Sequence, residues 1–134
     1  MERHFKRDLN ALSDVFSFIE GFVDLESATA DAAFPLRIAV EEIFVNMVSH
    51  NPHGSGDISI GLELEGSRVT ATLMDFDSEP FDLTEHEGPD INAPLKQRRI
   101  GGLGIHLVKS MMDEVHYEYK DRRTQIRLVK YLRD

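Results

Sequence analysis

The chain has 134 residues, 41% of them hydrophobic, with no cysteine and a formal net charge of −9 at pH 7. That length suits one domain with a real core, and the missing cysteines exclude a disulfide framework and a thiolate metal site. The acidic balance argues against direct nucleic-acid binding, which needs a basic surface, and no apolar run is long enough for a membrane span.

The N-terminal text Met1-Glu2-Arg3-His4-Phe5-Lys6 is too polar for a secretory signal, so a cytoplasmic location is expected. Glu2 to Arg7 reads as a short edge strand. From Leu9 the apolar residues Leu12, Val15, Phe16, Ile19 and Phe22 or Val23 recur at helical spacing, which predicts a helix ending near Leu25. A second helix begins at Asp31, with its regular part near Pro35, because proline suits only a first turn. Its stripe Leu36, Val40, Ile43 and Met47 is a core face. Asn51-Pro52-His53-Gly54-Ser55-Gly56 stops it. Asp57 to Glu65 alternates through Ile58, Ile60, Leu62 and Leu64. Gly66-Ser67 turns the chain, and Arg68 to Asp75 alternates through Val69, Ala71 and Leu73, which together predict a hairpin.

Ser78 to Arg99 has no sustained periodicity and holds Pro80, Gly88, Pro89 and Pro94. A loop of that length in a small domain is usually functional or disordered. It runs straight into a glycine cluster, so it reads as a lid over a ligand, with a solvated loop as the alternative. Gly102 to Met112 predicts a helix with Leu103, Leu107, Val108 and Met111 or Met112 on its buried side. Glu114 to Lys120 and Thr124 to Tyr131 predict a second hairpin. Helices and antiparallel strands in one small domain give the α/β class, as a two-layer sandwich over residues 1–134.

Two places carry chemistry. In Arg99-Ile100-Gly101-Gly102-Leu103-Gly104-Ile105, glycines open a helix. Backbone N–H groups without a Cβ in the way, at the positive end of a helix dipole, make an anion site, and phosphate is the usual anion. On the second helix Glu42, Asn46 and His50 recur every four residues and share one face. A carboxylate there can take a proton from an attacking hydroxyl, and an amide oxygen can ligate Mg²⁺. A solvent-facing polar stripe is the other reading of that face. His50 and His53 fit a helix-end turn better than a metal site, and Tyr117, Tyr119 and Phe81 fit packing.

Together these segments resemble a known family. Ala39-Val40-Glu41-Glu42-Ile43-Phe44-Val45-Asn46-Met47-Val48-Ser49-His50 is similar to the N box of the Bergerat-fold (GHKL, histidine-kinase-like) ATPases, in particular the branch of anti-sigma-factor serine kinases. Pro80-Phe81-Asp82 resembles the tail of the first glycine box. Asp90-Ile91-Asn92-Ala93-Pro94-Leu95 followed by Ile100-Gly101-Gly102-Leu103-Gly104-Ile105-His106-Leu107-Val108 resembles the lid and the second glycine box, and Met112-Asp113-Glu114-Val115-His116-Tyr117 continues the likeness. The resemblance implies a Bergerat sandwich with a mixed, mostly antiparallel sheet, three main helices and an ATP lid over about 83–100. It implies ATP and Mg²⁺ as cofactors, Glu42 as general base and Asn46 as the Mg²⁺ ligand. His50 joins Asn46 as a nucleotide contact. Gly101, Gly102 and Gly104 would face the phosphates, with the backbone near Leu103 and Ile105 close to the triphosphate. Arg98 and Arg99 would stabilise γ-phosphate charge, or form a solvated pair. The activity implied is phosphorylation of a small STAS-type antagonist protein together with sequestration of a sigma factor, and a homodimer is allowed. A partner-switch module with weak or no nucleotide binding is the alternative, and a domain that only hydrolyses ATP is a third.

Two places depart from the family pattern. The first glycine box normally has an aspartate, one residue, then glycine, with the aspartate reading the adenine amine. Here the text is Met74-Asp75-Phe76-Asp77-Ser78-Glu79-Pro80. Counting back from Pro80 without a gap puts Phe76 and Ser78 at those positions, and one extra residue puts Asp75 and Asp77 there. Strand parity favours Asp75, which shares the direction of Val69, Ala71 and Leu73, while a local bulge would turn Asp77 inward instead. Family members often open the last strand with two threonines. Here Thr124 precedes Gln125, which either turns outward or alters base recognition.

Overall fold

The computed structural model describes residues 1–51, 53–78 and 102–132, with side chains from 106 onward in the last segment. In chain order the elements are β1 (Glu2–Phe5), α1 (Leu12–Leu25), α2 (Ala33–His50), β2 (Ile58–Glu65), β3 (Arg68–Asp75), α3 (Gly102–Met111), β4 (Glu114–Lys120) and β5 (Arg123–Tyr131). Short 3-10 turns over Leu9–Ala11 and Ser27–Ala32 lead into α1 and α2. The first is capped by Asp8, whose carboxylate accepts the Asn10 amide at 2.9 Å. Pro35 is the third residue of α2, where its missing N–H is no loss.

The five strands form one sheet in the order β1-β2-β3-β5-β4. Every pairing described is antiparallel, which corrects the mixed sheet expected above. The physical reason lies in the crossover. β3 and β4 run the same way across α3, but β5 returns between them and pairs with both. Alternation does the rest. Ile58, Ile60 and Leu62 of β2, Val69, Ala71 and Leu73 of β3, and Ile126 and Leu128 of β5 are all fully buried. Against them pack Val15, Ile19 and Phe22 of α1, the stripe Leu36, Val40, Ile43 and Met47 of α2, and Val108 of α3. This is the two-layer sandwich that the patterning predicts.

The structure moves several boundaries and one side chain. β1 stops at Phe5 rather than Arg7, because the chain turns inward after Lys6. α1 begins at Leu12, after the capped 3-10 turn. Leu107, expected in the core, is 40% exposed, because Val108 and Met112 take the buried side of α3 and Leu107 lies about 100° around the helix from Val108. The expected lid over about 83–100 lies outside the described residues.

Candidate functional site

α2 is buried on more than one side. Ala39, Phe44, Asn46 and Val48 join its core stripe below the surface, since the helix packs against α1, α3, β3 and β5. A polar residue in such a place needs partners. Asn46, 6% exposed, has its amide nitrogen donating to the Glu42 carbonyl at 2.7 Å. Its carboxamide oxygen is left as an acceptor, the hard neutral oxygen that a magnesium ion accepts. One turn back, the half-buried Glu42 has its carboxyl pushed above the usual carboxylate range, first by burial and then by the neighbouring charge of Glu41. His50 ends the helix and is exposed.

Across from this face β3 delivers Asp75. The register runs unbroken to that residue on both sides, Ile58 to Asp75 and Asp75 to Thr124. There is accordingly no bulge, and Asp75 is the inward carboxylate. Asp77 sits on the rim. Its carboxylate accepts the Ser55 amide at 2.6 Å and the Ser55 hydroxyl at 3.1 Å, and the Arg122 guanidinium at 2.6 and 3.0 Å. The Ser55 amide bond first, then Arg122, lowers its pKa to about 2. Ser78 is buried and donates its amide to the Arg122 carbonyl at 2.8 Å, and its hydroxyl accepts from Thr124 at 2.9 Å. Asp121 and Arg122 hold positive φ (52° and 64°) at the β4–β5 turn, as a tight hairpin requires. This is how Arg122 comes to face Asp77. Gln125 faces the other side of the sheet, where it lines a shallow hollow with Met74 and Glu118.

Asn46, Met47, His50, Asp75, Ser78, Thr124 and Ile126 line a cavity of about 10 Å³, roughly the room one water needs. Three predicted site residues, Asn46, His50 and Asp75, thus meet around one cavity, with Glu42 a turn away. α3 begins at Gly102 and packs against α2, so the glycine-led helix and the Glu42–Asn46 helix are neighbours. Arg98, Arg99 and Gly101, and the side chains of Leu103 and Ile105, lie outside what is described.

Sequence reasoning missed Arg7. Its guanidinium forks onto Asp75, with Nη1 donating to Oδ2 at 3.0 Å and Nη2 donating to Oδ1. The two side chains are only 4% and 2% exposed. In a run of charges after a short strand, nothing marks Arg7 as buried. The signal is topological. Phe5 and Asp75 both face Ile58 across β2, so the chain leaving β1 passes the end of β3.

A helix with an acid and an amide one turn apart, a glycine-led helix beside it and an inward aspartate ending the central strand define an ATPase domain of the histidine-kinase type. The family description "Histidine kinase-like ATPase domain" matches residues 5–130, and the chain belongs to that family. Its relatives place it in the anti-sigma-factor kinase branch. Serine-protein kinase RsbW of Staphylococcus aureus is 32% identical over 121 residues, covering 86% of this chain and 76% of that protein. Serine-protein kinase RsbW of Listeria monocytogenes is 28% identical over 122 residues, covering 87% and 76%. Among solved structures, the SiaB–SiaC complex from Pseudomonas aeruginosa aligns with a TM-score of 0.67 at 12% identity, covering 96% of this chain and 88% of that one. Acinetobacter baumannii histidine kinase AdeS aligns with a TM-score of 0.58 at 10% identity, covering 100% and 68%. These two likenesses concern the fold. Among the described residues, no helix is long and apolar enough to cross a membrane.

Proposed function

We propose that the chain is an ATP- and Mg²⁺-dependent protein serine/threonine kinase of the anti-sigma type. It would phosphorylate a STAS-type antagonist and hold a sigma factor. The observation that carries this reading is the pairing on α2 of a carboxyl raised by burial, Glu42, with the buried amide of Asn46 one turn on, beside a cavity that Asp75 also lines. Asn46 would hold the Mg²⁺, which supplies neutralisation and alignment of phosphate oxygens. Glu42 takes the proton of the attacking seryl hydroxyl. Its raised pKa makes it the stronger base. The seryl oxygen bonds the γ-phosphorus, the bond to the β-bridging oxygen breaks, and ADP leaves. Asp75 reads the adenine amine, and His50 flanks the base. Gly101, Gly102, Gly104 and the backbone at Leu103 and Ile105 would cradle the triphosphate, with the segment over about 83–100 as its lid. Arg98 and Arg99 would supply positive charge to the γ-phosphate. We place this activity in the cytoplasm, where ATP is available, and allow it a homodimer.

The donor set fits nucleotide and metal, since it offers acceptors for an amine and a hard cation. The cavity that the described residues line is small and partly open, and a purine ring needs Met47 and His50 to move aside. Met47 is flexible by nature and His50 is exposed. The test is incubation of the protein with γ-labelled ATP, Mg²⁺ and a STAS-type antagonist. Label on an antagonist serine is expected. ATP binding without transfer overturns the kinase reading.

The small cavity and the lost glycine at Ser78 favour a second reading, a switch that holds a partner without using nucleotide. Calorimetry with Mg·ATP separates the two. No heat at millimolar nucleotide leaves only the switch.

A further inference from the structure

Arg7 carries a puzzle. Its Nε is buried and has no hydrogen-bond partner among the described residues, a cost that native interiors seldom carry. An apolar side chain of similar length would fill the same space without it, giving up only the long contacts of Arg7 to the Asn51 and Ser55 carbonyls at 3.4 and 3.5 Å. Retention of a guanidinium there calls for a reason beyond packing.

The reason lies in what the fork does to Asp75. A carboxylate offers roughly four lone-pair positions. Arg7 Nη1 takes one on Oδ2, Arg7 Nη2 takes one on Oδ1, and the Asp77 amide takes a second on Oδ1 at 3.0 Å. By that count about one acceptor position is left, on Oδ2. The carboxylate also lines the cavity, and the fork stops it from rotating. We propose that Arg7 is a positioning residue that sets base selectivity. It holds Asp75 so that the site offers a single fixed acceptor, matched to an exocyclic amine. This inference rests on the reading of Asp75 as the adenine contact.

The chemistry predicts what happens when the fork is lost. A base with a ring N–H and a carbonyl, such as hypoxanthine, meets the fixed acceptor with its carbonyl and is repelled. A carboxylate free to turn can accept the ring N–H instead. Arg7→Lys keeps the charge but replaces two parallel bonds by a point contact, so it relaxes selectivity.

The experiment is calorimetry of the full chain and of Arg7→Lys with Mg·ATP and with Mg·ITP, alongside circular dichroism and melting of each protein. The native chain is expected to prefer ATP by about tenfold or more, as a hydrogen bond to a charged group allows. Arg7→Lys is expected to bring the two affinities within about threefold while keeping the native spectrum. A purely structural Arg7 would lower the melting temperature and leave the ATP/ITP ratio unchanged, and that result overturns the inference while the kinase reading stands. If the native chain binds neither nucleotide, both fall together. Should Arg7→Lys fail to fold, the guanidinium nitrogen resonances of the native chain decide. They shift on ATP and stay in place on ITP if the inference holds, and an equal response to both overturns it.

Discussion

Deleting either half of the Arg7–Asp75 pair tests whether this corner of the fold is held by charge. The two side chains are 4% and 2% exposed, so the partner that remains after a single substitution has almost no access to water. Breaking such a buried pair costs about 3–5 kcal/mol, because an uncompensated charge is left inside. With an unfolding entropy of about 2.1 cal/mol/K per residue, a chain of 134 residues melts about 11–18 °C lower for that loss. Arg7→Met and Asp75→Leu should each show this fall. The double variant Arg7→Met/Asp75→Leu leaves no charge behind. Its remaining cost is the Asp77 amide that loses its acceptor and the long contacts that Arg7 makes to the Asn51 and Ser55 carbonyls at 3.4 and 3.5 Å, together about 1–2 kcal/mol. It should therefore melt within roughly 7 °C of the native chain, far above the sum of the singles. The assay is a double-mutant cycle by thermal melting and urea unfolding at neutral pH. Single variants that melt within a few degrees of the native chain, or a double variant that melts at the additive value, would refute the reasoning.

Glu42→Gln should abolish labelling of an antagonist while the affinity for Mg·ATP stays within about threefold, since the amide keeps the shape and loses only the base; transfer by this variant would remove Glu42 from the chemistry. The same substitution has a stability signature. The folded-state pKa of Glu42 is raised, so its contribution is most favourable below about 4.5 and declines as pH rises through the raised value; melting against pH should show that decline in the native chain and a flatter curve in the variant. Asp77 behaves oppositely. Its pKa is lowered to about 2, so the stability it contributes is present above the ordinary aspartate value and is lost as pH falls toward 2; a carboxyl carbon titration with its midpoint near the ordinary value would contradict the Ser55 and Arg122 contacts. Ser78→Gly removes the hydroxyl that accepts from Thr124 at 2.9 Å beside the cavity, so it should cost about 1 kcal/mol of stability and strengthen Mg·ATP binding by calorimetry; unchanged or weaker binding would show that Ser78 does not restrict the pocket.

Much of the fold is legible because its signals are local and periodic. The alternation in β2 and β3 places Ile58 to Leu73 in the core with the register that the sheet adopts. The four-residue spacing puts Asn46 and His50 at one cavity. Parity turns Asp75 inward with Val69, Ala71 and Leu73, and the end of β3 at Asp75 leaves Asp77 on the rim. The rest depends on contacts between distant parts of the chain. Phe5 meets Ile58 and Ile58 meets Asp75 only after three strands have paired, so no window of sequence around Arg7 contains its partner. The all-antiparallel sheet is hidden for a similar reason. A strand, a helix and a strand in sequence suggest a parallel neighbour, and only the return of β5 between β3 and β4 decides otherwise. Leu107 is hard to place from spacing, because a helix of only 10 residues has few turns to define its apolar side.

The lost glycine of the first box reads, in sequence, as a weakening. In three dimensions side chains take over the shaping of that corner. A glycine would let the backbone approach a ligand and turn freely. Here the Asp77 carboxylate ties the Ser55 amide and Arg122 together. The Asn51 amide holds the Asp77 carbonyl at 2.7 Å, and the Ser78 hydroxyl occupies space that a glycine would leave open. The corner is thus fixed by ionic and hydrogen-bonded contacts from four separate segments, β1's end, the α2–β2 loop, β3's end and the β4–β5 turn. Such a network gives a rigid frame around a small cavity, whereas a glycine turn gives an adaptable frame around a larger one. Rigidity of this kind favours selectivity between bases, because a fixed acceptor rejects a mismatched base. On the proposed reading, the contacts that replace the glycine predict base-selective nucleotide binding, and binding without preference between bases would be incompatible with them.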